Sequence, residues 1–271
     1  MTVVVSEQAR IKPTEVCPHF IEVEWPVRRF TIDEYHRMGE IELFRQEEHF
    51  ELLNGLLIWN TDRMDMGKVQ KSNFLHTELP LRRFSIGEYN RLIETSLLAE
   101  DEQLELIDGL ILEMSPINPK HAGCLDALLG LFFPYTHKRA ILRLQSPITL
   151  EISSSQPQPD LTLVTTRPKG YFDRHPTVQE ILLIVEVSDS SLEDDQERKL
   201  ALYARSGIPE YWIVNLVDER VEVYLAPDVS ATGKADYKTK LTFIRGQTLA
   251  PLEFPDCQIE VSQILPNQGN N

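Results

Sequence analysis

The sequence predicts an α/β fold, a mixed β-sheet flanked by helices and preceded by a duplicated helix–hairpin. Three observations carry that expectation. Ile181 to Val185 are consecutive aliphatics, which suits a strand buried on both faces. Ser188 to Ser191 is turn chemistry, and Asp195 to Ser206 then carries Leu200, Leu202 and Tyr203 at helical intervals. Gly207 and Pro209 stop that helix before Tyr211 to Leu216 resumes an apolar strand. Strand, helix and strand with a short return imply a parallel pair joined by a right-handed crossover. Finally, RRFTIDEYHRMGEIELFRQEEHFELLNGLLIW from Arg28 recurs 54 positions on as RRFSIGEYNRLIETSLLAEDEQLELIDGLILE from Arg82, gap-free with 14 identities. Two copies make a duplication and not a solenoid.

Composition narrows the class. At 271 residues, 42% hydrophobic and 25% charged, the chain has ample material for a core. No stretch approaches the 18 or so apolar residues of a membrane span, and MTVVVSEQARIK lacks the pattern of a signal peptide. Cys17, Cys124 and Cys257 are odd in number and far apart, so they make neither a disulfide framework nor a zinc site. A reducing cytoplasm is the expected compartment. The net charge of −15 argues against a broad basic surface for phosphate backbones, while leaving room for a local basic cleft and for metal-binding carboxylates.

The elements follow in order. Residues 1–27 show no sustained periodicity and read as a loose arm. In each repeat copy, Thr31 or Ser85 is a helix N-cap, with Glu34 or Glu88 three residues on completing a capping box. Asn54-Gly55 and Asp108-Gly109 between apolar runs signal hairpins. The first copy occupies 28–60, a polar linker 61–81, and only the second copy continues into a full domain, 82–265, before a tail at 266–271. Beyond Pro116 the expectation is a core helix from His121 to His137, a strand from Ile141 to Leu150, and a further strand opened by Pro159-Asp160. A long loop, 167–179, holds Lys169, Arg174 and His175, and closing antiparallel strands follow at Val221 to Leu225 and Lys240 to Ile244.

Chemistry is expected at strand ends, where open α/β sheets place ligands. Asp160 and Glu186 stand at such ends, and Pro159 holds the turn before Asp160 extended. Two converging carboxylates are oxygen ligands of the kind Mg²⁺ (or Mn²⁺) takes, with water and substrate phosphate completing the shell. Lys199 lies in the following helix with Tyr203 on the same face, where an amine would stabilise phosphate charge or orient water. Solvated edge carboxylates and a surface lysine are the other reading of that spacing. Tyr211-Trp212 reads as core. The basic pairs Arg28-Arg29 and Arg82-Arg83, like Lys12, suit either helix caps or phosphate contacts.

The set PD, VEVSDSS, D…K…Y and GIPEYWIV resembles the Uma-type restriction endonuclease family of the PD-(D/E)XK nuclease superfamily, over about residues 82–265. The resemblance implies a restriction-endonuclease-like fold, a DNA substrate and divalent-metal catalysis. It assigns Asp160 to the PD aspartate, Glu186 to the acid of the second half-motif and Lys199 to the amine supplied from the next helix. Ser188 stands where the superfamily usually has lysine. Asp195 matches the aspartate before the helical lysine, Glu105 the glutamate of the ELIDG strand, and His121 the histidine opening the next helix. Glu105 reads equally as a polar hairpin position, and His121 as a helix-terminal polar residue. Asp194 and Gln196 depart from the family, and the first copy has no PD or EVS counterpart, so it is no second active site. If the first copy packs as the second does, it occupies the surface where a partner subunit would otherwise dock. A homodimer is expected only because double-strand cleavage favours two sites. The alternative class is a catalytically degenerate nuclease fold serving as a protein-interaction module, or an enzyme acting on RNA or on branched or damaged DNA.

Overall fold

A computed structural model describes residues 26–45, 48–59, 81–99 and 101–266. Most of the expected N-terminal arm, the linker through residue 80, the tail from 267, Lys12 and Cys17 lie outside them. The chain divides into two compact units, with the boundary between Met114 and Ser115. Residues 82–113 therefore group with the first repeat copy.

In the first unit, α1 (Ile32–Glu40) precedes the hairpin of β1 (Phe50–Leu53) and β2 (Leu56–Trp59). Likewise α2 (Ile86–Glu94) precedes β3 (Leu104–Ile107) and β4 (Leu110–Glu113). Both helices carry reciprocal capping boxes, Thr31 with Glu34 and Ser85 with Glu88. Each hairpin turns through two positive-φ residues, Asn54 and Gly55 or Asp108 and Gly109. The glycines are also sterically required. A Cβ on Gly55 would sit 2.7 Å from the Arg29 Cβ, and one on Gly109 2.8 Å from the Arg83 Cβ. Met38, Leu57, Leu92, Leu106 and Ile111 meet in one core.

The second unit is built on a six-stranded sheet. Its strands are β5 (Ala140–Leu144), β6 (Leu161–Thr165), β7 (Ile181–Ser188), β8 (Glu210–Asn215), β9 (Arg220–Val229) and β10 (Ala235–Ile244), side by side in chain order. Only β7 and β8 run parallel, as the strand–helix–strand pattern requires, and every other neighbour is antiparallel. Side chains alternate across a strand. Leu183, Val185 and Val187 of β7 thus join the core with α3 (Pro119–Thr136), where Phe132 packs on Trp212 at 5.8 Å between ring centroids. The opposite face meets the connection after β7, where Tyr203 stands edge-on to Tyr211. Both Tyr211 and Trp212 are wholly buried.

Several expected boundaries move. The strand expected from Ile141 to Leu150 ends at Leu144, because Gln145 turns into the left-handed region at φ 43° and Ser146-Pro147 follows. The closing strands are longer than the apolar runs that marked them, because pairing continues through mostly exposed residues, 226–229 in β9 and 236–242 in β10. The single helix expected from Asp195 to Ser206 is composite. A short α4 (Leu192–Asp194) leads into a π-helical turn, Asp195–Lys199, and then α5 (Leu200–Ser206), closed by Gly207 in the left-handed conformation. Among the described residues no helix is long and apolar enough to cross a membrane.

Candidate active site

The sheet register creates the site. Leu161 pairs with Val185 across antiparallel β6 and β7, so one step outward Asp160 stands opposite Glu186 on the same face. Backbone and side chain then interlock: the Asp160 N–H donates to Glu186 Oε2 at 3.2 Å, and the Val187 N–H donates to Asp160 Oδ2 at 2.8 Å. From the helical side, Lys199 Nζ lies 3.0 Å from Glu186 Oε1 and 3.5 Å from Asp195 Oδ1. Tyr203 donates its hydroxyl to the same Glu186 Oε1 at 2.8 Å. The π turn places Asp195 and Lys199 on this one patch; such turns recur at functional sites.

Three acids are therefore packed where water scarcely reaches. Glu186 and Asp195 are each 2% exposed and Asp160 9%. Burial pushes Glu186 well above the usual carboxylate range; Lys199 opposes that shift, and the charges of Asp160 and Asp195 add to it. Asp195 is also raised, chiefly by burial, against Lys199 and the hydroxyls of Ser188 (2.7 Å) and Ser191 (2.8 Å) that donate to its Oδ2. Asp160 goes the other way. Burial works against its charge, but His121 and the Val187 N–H hold it below the usual range. His121 Nε2 lies 2.9 Å from Asp160 Oδ1, and Asn118 caps α3 by accepting the His121 N–H at 3.0 Å. A low acid beside a raised one is an arrangement of environments that separates acid and base roles.

The structure thus gathers Asp160, Glu186, Lys199, Asp195, Tyr203, Ser188 and His121. Glu105 belongs to the other unit, 4% exposed on β3, and adds to the forces that push Tyr89 up to about 12, of which burial is the largest. Three partners escaped sequence reasoning: Gln145, Ser191 and Asn118. Gln145 donates its backbone N–H to Asp160 O at 3.0 Å and its side chain to Asp160 Oδ1 at 3.4 Å. Gln145-Ser146-Pro147 at a strand end was the only signal for it. The residues that depart from the family pattern have local partners. Asp194 pairs with Arg198 at 2.5 Å, and Gln196 donates to both oxygens of buried Glu222 at 3.0 Å, tying the π turn to β9. Of the loop cations, Arg174 is engaged, forking onto Glu180 at 2.7 Å.

The donor set fits a hard divalent cation. Asp160 and Glu186 present oxygen only, as buried like charges held face to face, and a cation relieves the desolvation that raises Glu186. Two protein carboxylates with the rest water and phosphate is the usual manner of holding Mg²⁺. Among the described residues no group of three or more His, Cys, Asp or Glu is placed to hold a metal ion.

Comparison with known proteins bears on the family and the fold. The model of the Uma2 family, described as "Putative restriction endonuclease", matches residues 86–262. A solved structure from Anabaena variabilis, titled a putative nuclease belonging to DUF820, matches with TM-score 0.52 and 13% identity, covering 67% of this chain and 97% of that one. At that identity the likeness establishes the fold. A search of curated proteins finds no match.

Proposed function

Since the chain belongs to the Uma2 family of putative restriction endonucleases, we propose that it hydrolyses DNA phosphodiester bonds with a divalent metal at the Asp160–Glu186–Lys199 cluster. The observation that carries this reading is the buried convergence of two carboxylates with a lysine and a tyrosine on one of them. A Mg²⁺ or Mn²⁺ ion held by Asp160 and Glu186 would supply positive charge at the scissile phosphate and acidify water beside it.

The remaining work falls to side chains. His121 and Gln145 fix Asp160 in one orientation, and Tyr203 does the same for Glu186, so both acids meet a ligand without reorganising. Asp195, itself held by Ser188 and Ser191, gives Lys199 a second carboxylate contact at 3.5 Å. The ammonium then stabilises charge building on the phosphate, or orients the attacking water. Placing that amine on a helix removes the need for a lysine at position 188, where the serine instead supports Asp195. His121 is a candidate proton carrier because it touches Asp160 directly. Glu105 enters as a further acid on resemblance alone.

Cleavage of plasmid, single-stranded DNA and RNA with Mg²⁺ or Mn²⁺, beside Glu186→Ala, tests the reading. Metal-dependent cleavage of DNA lost in the variant supports it; no cleavage of any substrate leaves the alternative, a degenerate nuclease fold that binds proteins. The net charge of −15 favours that alternative.

A further inference from the structure

The two repeat copies contact each other in matched pairs, each contact recurring with both partners shifted by 54 positions. Val27 bridges to Leu112 as Leu81 bridges to Ile58. The Arg28 N–H donates to Ile111 O at 2.9 Å, and the Arg82 N–H donates to Leu57 O at 2.8 Å. Each arginine then reaches one glutamate in its own copy and one in the other. Arg28 pairs with Glu34 (2.6 Å) and Glu102 (2.5 Å), Arg82 with Glu88 (2.6 Å) and, more distantly, Glu48 (4.0 Å). Phe30 meets its own counterpart Phe84 at 5.9 Å between centroids. A small cavity is lined by Val27, Arg28, Phe30, Leu56 and Leu57 together with the five residues 54 positions further on.

Reciprocal contacts about a self-paired residue are the signature of an isologous two-fold interface, the kind that joins identical subunits. Here both halves lie in one chain and one compact unit. We propose that residues 28–59 are a covalently attached stand-in for a second subunit, closing the self-complementary surface of 82–113, so that the protein is a monomer. Parting the copies would return apolar side chains to water: Phe30, Leu57, Phe84 and Ile111 are each at most 6% exposed and share one core. Tethering gives the first copy an effective concentration far above that of any free subunit, so it outcompetes another chain. The consequence for catalysis is one centre per molecule, which cuts one strand per encounter. That consequence rests on the nuclease reading; the monomer does not.

The test uses the full chain. Light scattering after size exclusion, at micromolar and at tenfold higher concentration, should give 31.2 kDa at both. A stable mass of twice that value overturns the inference. The bridge pair Ile58→Cys with Leu81→Cys, oxidised, should form a disulfide within one chain; covalent dimers on a non-reducing gel would mean the copies exchange between chains, and would also overturn it. If that variant fails to fold, the mass of the unaltered chain still decides. On supercoiled plasmid, nicked circles should accumulate before linear product. Linear product without a nicked intermediate contradicts the single centre, whereas no cleavage at all counts against the nuclease reading and leaves the mass to judge the monomer.

Discussion

Replacing Lys199 by methionine removes the cation from the acidic cluster while keeping the side-chain bulk. The ammonium lies 3.0 Å from Glu186 and 3.5 Å from Asp195, with all three side chains at most 13% exposed. At an effective dielectric near 20, each contact is worth about 5 kcal/mol of Coulomb energy. Losing both would approach the whole stability of a domain, roughly 5–15 kcal/mol. The site therefore escapes by protonation, and the observed loss should fall to about 3–5 kcal/mol, the usual cost of breaking a buried pair. That escape sets the pH dependence. Glu186 already sits well above its ordinary 4.5, and without Lys199 it rises further. A raised acid contributes its full stability below the unfolded pKa and loses it as pH climbs through the folded one. The variant's deficit should thus be small at pH 5 and grow toward pH 8. Urea unfolding followed by fluorescence of buried Trp212, in a background with Trp25 and Trp59 replaced by phenylalanine, reads this unit. A deficit under about 1 kcal/mol that stays flat from pH 5 to 8 would show that the lysine does not hold these acids, and the argument would fail.

Other consequences are checked more simply. Asp160→Asn should abolish metal-dependent cleavage, a loss of at least about a thousandfold, while leaving the far-ultraviolet circular dichroism unchanged. His121→Ala should lower cleavage by about 10²-fold, because it removes the imidazole held against Asp160; undiminished cleavage would show that contact to be dispensable. Burial lifts Glu210 to about 7, against bonds from the Leu252 N–H and Trp212 Nε1–H. Its contribution is complete below 4.5 and lost as pH rises to about 7, a span worth about 3 kcal/mol. Urea titrations from pH 4.5 to 8 should accordingly show the native chain losing about that much stability relative to Glu210→Gln, and an unchanged difference would contradict it.

Legibility differed by cause. The parallel β7–β8 pair followed from composition, because a strand covered on both faces must be apolar throughout and its return must be helical. Capping boxes and Asn-Gly or Asp-Gly turns are local chemistry and were equally plain. The partners of Asp160 were not. Gln145 reaches it only because β5 breaks into a left-handed residue there, a tertiary accommodation marked locally by nothing more than the Ser146-Pro147 that follows. The π turn at Asp195–Lys199 keeps helical spacing in the sequence and differs only in hydrogen bonding. Arg28 and Arg82 suited phosphate contacts as well as any exposed basic pair. Their burial against glutamates from both copies became apparent only once the repeats were seen to pack on each other.

The account rests on Asp160 and Glu186 sharing one divalent ion. Titration of the full chain with Mn²⁺, read by the loss of its free-ion paramagnetic resonance signal, measures that directly. One ion per chain is predicted, with binding lost in both Asp160→Ala and Glu186→Ala. No binding by the native chain, or undiminished binding by either variant, would contradict it.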